Sequence, residues 1–116
     1  MRVLGIDPGT HVCGYGVVDV DGADLRAVDY GVIRAPRARP LNERLCIIHE
    51  GICTVIQRHG PDVGVVEGAF HGVNARTAIK IGEARGVALL ALTSAGLAVA
   101  EYPPATVKKA VTGTGR

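Results

Sequence analysis

The first third of the chain alternates short apolar runs with turn residues. Val3 to Ile6 is a compact run that stops at Asp7-Pro8-Gly9, a strong turn signal. Gly14 to Val20 forms a second run, Asp21-Gly22 marks a hairpin, and Leu25 to Ile33 returns as a third strand. Ala35 to Pro40 holds two prolines and two arginines, which suits an exposed loop. The period then changes. Leu41, Leu45, Ile48, Ile52 and Val55 recur at three- and four-residue spacing, one face of a helix that Gly60-Pro61 ends. Val63 to Val66 is a short buried strand ending at Glu67. A second helix is predicted from near Asn74 to about Leu92, and a strand over Leu97 to Tyr102. Pro103-Pro104 opens a short helix near Ala105 to Ala110. The order β-β-β-α-β-α-β-α predicts an α/β domain: a mixed sheet with helices on its faces.

Composition narrows this picture only a little. A chain of 116 residues, 47% of them hydrophobic, suits one domain with a real core. The net charge of +2 permits nucleic acid without arguing for it. Placement says more: Arg34, Arg37, Arg39 and Arg44 cluster, as do Lys108 and Lys109, and either group could meet phosphates or simply face solvent. Asp7 interrupts the N-terminus before any signal-peptide apolar region forms, and Gly86 to Ala100 is too short and too broken to span a bilayer. The 3 cysteines include no CxxC, so a secreted disulfide framework is not expected and the cytoplasm is the default compartment. Cys46, His49 and Cys53 share one helix, but three such residues without a fourth ligand make a weak zinc signal.

Asp7 and Glu67 carry the candidate chemistry. Each closes an apolar strand just before glycine or proline-glycine, and strand ends are where open α/β sheets bind ligands. If the two strands are neighbours, the carboxylates share an edge and offer hard oxygen ligands to Mg²⁺. The alternative is an Asx-type turn at Asp7 and a solvated strand end at Glu67.

The segments LGIDPGT with GYGVVD, then VVEGAF, NARTAIKIGEARG and YPPATVKKAVTG, resemble consecutive blocks of the RuvC family of Holliday-junction resolvases. The resemblance covers essentially the whole chain. It implies an RNase H-like fold: a mixed five-stranded sheet, first three strands antiparallel, helices on both faces. It also implies a homodimer that makes paired symmetric nicks in four-way junction DNA with Mg²⁺ (Mn²⁺ as a substitute), two ions per active site. RuvA–RuvB is the implied partner complex, and no membrane is involved. Asp7 and Glu67 match the first two catalytic, metal-binding carboxylates. The family adds two aspartates from a C-terminal helix. The chain stops at Arg116 before such a helix, so the expectation is a C-terminally incomplete domain, its final helix missing, that is inactive alone.

By the same resemblance Phe70 is a DNA-stacking candidate, against plugging a small core, and Lys108 a phosphate contact beside the active site. Arg76 and Lys80, spaced i, i+4, are further candidate DNA contacts or else solvated surface. Ala78, Gly82 and Gly86 form a small-residue stripe that either packs on the sheet or, as the family implies, meets a second subunit. Two other functions compete. One is a non-catalytic junction-binding dimer. The other is an actin-like nucleotide-binding fragment, suggested by GIDPGT but lacking a second phosphate loop.

Overall fold

The computed structural model describes residues 1–67 and 73–102. In chain order the elements are β1 (Arg2–Asp7), β2 (Val12–Asp21), β3 (Asp24–Arg34), α1 (Leu41–His59), β4 (Val63–Glu67), α2 (Ala75–Ser94) and β5 (Ala98–Tyr102). They form one five-stranded sheet of order β3-β2-β1-β4-β5. β1, β2 and β3 are antiparallel, and β4 and β5 run parallel to β1. The mixed sheet and its antiparallel start are those expected. The predicted helix over 105–110 lies outside the described residues.

Strand alternation decides which side chains meet the helices. Leu4 and Ile6 point to one face together with their partners Val17, Tyr15 and Val66. That face packs against Ile48, Ile52 and Val55 of α1 and Ala88, Ala91 and Leu92 of α2, forming the main core. Gly64, paired with Leu4, lets α2 come close, because a Cβ there would sit 2.6 Å from Leu92 Cδ1. Both described helices therefore lie side by side on one face. The expectation of helices on both faces rests on residues outside those described.

α1 turns a different residue inward than its apolar period predicts. Leu41 and Leu45 are half-buried, and Arg44 takes the core-facing position in line with Ile48, Ile52 and Val55. The helix tolerates this because the guanidinium finds acceptors at the loop it covers, as described below. Gly60 ends the helix in a left-handed conformation, its N–H donating to the Ile56 carbonyl at 2.8 Å. α2 is capped at its start by Asn74, whose Oδ1 accepts the Thr77 N–H at 2.9 Å. Among the described residues no helix is long and apolar enough to cross a membrane.

Candidate metal and nucleic-acid site

The pairing Ile6–Val66 sets the next residues of two parallel neighbours, Asp7 and Glu67, at corresponding positions. Adjacent strands lie about 4.8 Å apart, so the two carboxylates start close together. Leu4, Ile6 and Val66 point into the core beneath the helices. By alternation Asp7 and Glu67 point to the opposite face. The strand ends are held locally. Arg85 of α2 donates from Nε to the Glu67 backbone carbonyl at 3.3 Å. After Asp7 the chain turns so tightly that any side chain at Gly9 would collide with the Val12 carbonyl.

The donor set suits a hard cation. Asp7 and Glu67 supply oxygen ligands only. The nearby Cys13 is no thiolate, because burial pushes its thiol up to about 12 against a weaker opposing hydrogen bond with the Gly9 backbone. No group of three His, Cys, Asp or Glu side chains is arranged to hold a metal among the described residues. The pair alone therefore fits a Mg²⁺-like ion whose shell is completed by water and phosphate oxygens. On α1, Cys46 Sγ donates to Glu50 at 3.6 Å, and Cys53 Sγ lies 3.9 Å from the His49 ring.

The arginine cluster of the sequence separates into three roles. Arg39 pairs with Glu43 at 2.8 Å. Arg44 is only 8% exposed and serves as a brace. Its Nε donates to the Arg39 carbonyl at 3.0 Å, and its Nη1 donates to the Thr10 carbonyl at 3.2 Å and lies 3.3 Å from the His11 ring nitrogens. Arg34 and Arg37 are exposed and line a cavity of about 310 Å³ with His11, Val12, Ala35 and Pro36. His11 carried no distinguishing sequence signal, being one histidine in a loop. Its place beside three cations emerges only when the loop after β3, α1 and α2 are assembled around it.

Arg76 and Lys80 are both exposed on the first turns of α2, and the charge of Lys80 reaches His11. Phe70 and Lys108 lie outside the described residues. The small-residue stripe does not pack on the sheet. The inward face of α2 is Ala84, Ala88, Ala91 and Leu92, and a Cβ at Gly82 or Gly86 would meet nothing within 4 Å. Ile79 (64% exposed) and Leu90 (59%) flank those glycines on the outer side.

A family profile described as crossover junction endodeoxyribonuclease RuvC matches residues 3–116. The crossover junction endodeoxyribonuclease RuvC of Chloroflexus aggregans is 51% identical over 115 residues, which are 99% of this chain and 70% of that protein. The structure of Thermus thermophilus RuvC in complex with Holliday junction substrate is similar with a TM-score of 0.84 at 38% identity, covering 100% of this chain and 71% of that one. The yeast mitochondrial Holliday junction resolvase Ydc2 shares the fold at 11% identity, with a TM-score of 0.64 over 97% of this chain and 64% of that one.

Proposed function

We propose that Asp7 and Glu67 hold the catalytic metal of a junction-cutting nuclease, because the chain belongs to the crossover junction endodeoxyribonuclease RuvC family, the enzymes that resolve Holliday junctions. The observation that carries the assignment is the parallel register of β1 and β4, which sets the two carboxylates side by side on the face away from α1 and α2.

The residues would divide the work simply. Asp7 and Glu67 bind a hard divalent cation, Mg²⁺ or Mn²⁺, and orient it on the sheet edge. A cation held by Asp7 and Glu67 would supply Lewis-acid chemistry: a lower pKa for an attacking water and compensation of charge on the scissile phosphate. Arg85 holds the Glu67 backbone, and so keeps one of the two carboxylates in place. Phe70, Arg76, Lys80 and Lys108 belong to the same reading as contacts to the four-way junction. The RuvA–RuvB complex enters by family membership. Two symmetric nicks need two sites, and the outward stripe Ile79, Gly82, Gly86 and Leu90 supports a homodimer through α2: glycines admit close approach while exposed apolar side chains flank them. Leu90 also borders an apolar groove of about 460 Å³ with Cys53 and Ile56 of α1, which extends the same surface.

Mn²⁺ binding, read by the paramagnetic relaxation of water protons, tests the metal site. Asp7→Asn and Glu67→Gln should each weaken binding by at least about 10-fold, the lower end of the loss from removing a group that merely supports a metal ligand. Where the chain nicks a four-way junction with Mg²⁺, that nicking should fall with it. Variants that bind Mn²⁺ as the parent does would overturn the assignment. For the dimer, Gly86→Arg should shift sedimentation toward the monomer while leaving the melting temperature of the fold nearly unchanged. A parent that sediments as a monomer at high concentration removes that part of the reading.

A further inference from the structure

One pocket near the loop after β1 is lined by cations with no counter-charge. Its lining is His11, Val12, Arg34, Ala35, Pro36 and Arg37, with no carboxylate among them. Neither the Arg34 nor the Arg37 side chain makes a hydrogen bond or ion pair among the described residues, whereas their neighbour Arg39 is taken up by Glu43.

The frame around these two arginines is rigid. The Ala35 N–H donates to the His11 carbonyl at 2.8 Å, tying the loop after β3 to the start of β2. The Arg39 N–H closes a turn onto the Pro36 carbonyl at 3.0 Å. Arg44 reaches up from α1 to Thr10 and His11 and brings a buried positive charge under the pocket. The imidazole of His11 registers that convergence. Desolvation lowers its pKa first, and the charges of Arg44, Arg37 and Lys80 lower it further, so cations face it from α1, from the loop after β3 and from α2.

The direction is equally specific. Arg34 pairs with Val12 across β2 and β3, while Asp7 pairs with Gly14. Val12 and Gly14 alternate with the core residue Cys13, so Arg34 emerges on the carboxylate face. Two strand spacings and two residues separate it from Asp7, about 12 Å between Cα atoms by ordinary sheet geometry.

We propose that His11, Arg34 and Arg37, braced by Arg44, form a pocket for a DNA backbone phosphate flanking the cut, separate from the metal site. This rests on the junction-nuclease reading and adds to it a fixed point that sets how the substrate strand lies across Asp7 and Glu67. An unpaired guanidinium pair suits the job, because planar N–H forks match phosphate oxygens and carry no competing carboxylate to displace.

The test is four-way junction binding by the full chain in EDTA, followed by fluorescence anisotropy from about 50 to 200 mM salt. Arg34→Ala/Arg37→Ala should bind roughly 10-fold more weakly at the low-salt end. Its plot of log affinity against log salt should be shallower by about 0.9, one phosphate's worth of released counterions. Arg58→Ala, an exposed arginine at the far end of α1, should leave the slope unchanged. Both pocket arginines are exposed and unbonded, so the double variant should keep the parent melting temperature, and Arg34→Gln/Arg37→Gln provides a bulkier neutral pair. An unchanged slope in these variants overturns the pocket, as does an equal loss in Arg58→Ala. Failure of the functional reading looks different: the parent would not bind the junction, or Asp7→Asn would keep its Mn²⁺ affinity.

Discussion

At the end of the sheet where β1 begins, opposite charges interleave. Arg2 grips Asp19 with two parallel hydrogen bonds of 2.8 and 3.1 Å, and Arg26 adds a third contact to the same carboxylate at 3.1 Å. The other Arg2 nitrogen donates to the His59 carbonyl at the end of α1, and the Arg2 backbone N–H donates to Asp62. His59 in turn meets Asp29 at 2.8 Å. A cavity of about 590 Å³ opens there, but its lining mixes Asp19, Asp21, Asp24 and Asp62 with Arg2 and Arg26. At the other end, where β1 finishes, charges of like sign gather together. Two carboxylates sit together at Asp7 and Glu67, and cations gather around His11 a short way along the same edge. A folded protein that wanted only stability would interleave them as the first end does. Segregation is what a metal and a polyanion require, one site for the cation and another for the phosphates. On the proposed reading, the larger cavity is the structural end and the smaller one serves the substrate.

Arg44 gives the strongest way to break this contrast, because it is a buried cation at that end that the fold itself uses. Arg44→Ala would leave the Thr10 and Arg39 carbonyls without their donor and open space beneath the β1–β2 loop. The expected loss is about 2–4 kcal/mol of unfolding free energy, measured by urea denaturation. A loss near zero would mean that Arg44 behaves as a surface arginine and that the pocket has no rigid floor.

The same residue shows where sequence reading stops. Asp7 and Glu67 stood out because each closes an apolar strand at a turn, a local signal. That their strands are neighbours is not local: β1 meets β4 across the whole hairpin and α1, and nothing in either segment encodes the pairing. The apolar period of α1 was legible, but it led to Leu41 and Leu45 as core positions. Charged residues seldom enter a core, so Arg44 was grouped with its arginine neighbours instead. The cluster of four was visible as composition. Its division into an ion pair, a brace and an open pair depends on a strand end, a loop and a helix arriving at one place. The stripe on α2 was equally legible as small residues and equally mute about direction, since Ala84, Ala88 and Ala91 make the opposite face just as small.

Asp19 sharpens the contrast from the paired end. The Arg2 hydrogen bonds, aided by Arg26, hold its carboxyl well below the usual carboxylate range, at about 2. A depressed folded-state pKa means stability that is present above the unfolded value of about 3.9 and lost as pH falls through about 2. Asp19→Asn should therefore melt lower than the parent at pH 7, and the gap should close between about pH 4 and pH 2. The pair is partly solvated and its contribution screened, so the shift at neutral pH should be smaller than for Arg44→Ala and should shrink in high salt. Parallel melting curves across the whole pH range would show that Asp19 is not the group the arginines serve.

The smallest expected effect is the most diagnostic, because its sign is opposite. In chelator, Asp7 stands beside a second carboxylate at the matching position of the neighbouring strand. Like charges placed so cost about 0.2–1 kcal/mol. Asp7→Asn should relieve that cost and raise the melting temperature slightly, where Asp19→Asn lowers it. Adding Mg²⁺ or Mn²⁺ should then reverse the ranking. The parent gains about 1.4 kcal/mol at ten times the dissociation constant, and the variant, lacking a ligand, gains much less. If Asp7 were instead an Asx-type turn residue fastening the chain into Pro8-Gly9, the substitution would destabilise the protein in chelator and metal would make no difference between the two. One pair of melting curves, with and without metal, thus separates a carboxylate kept for chemistry from one kept for the turn.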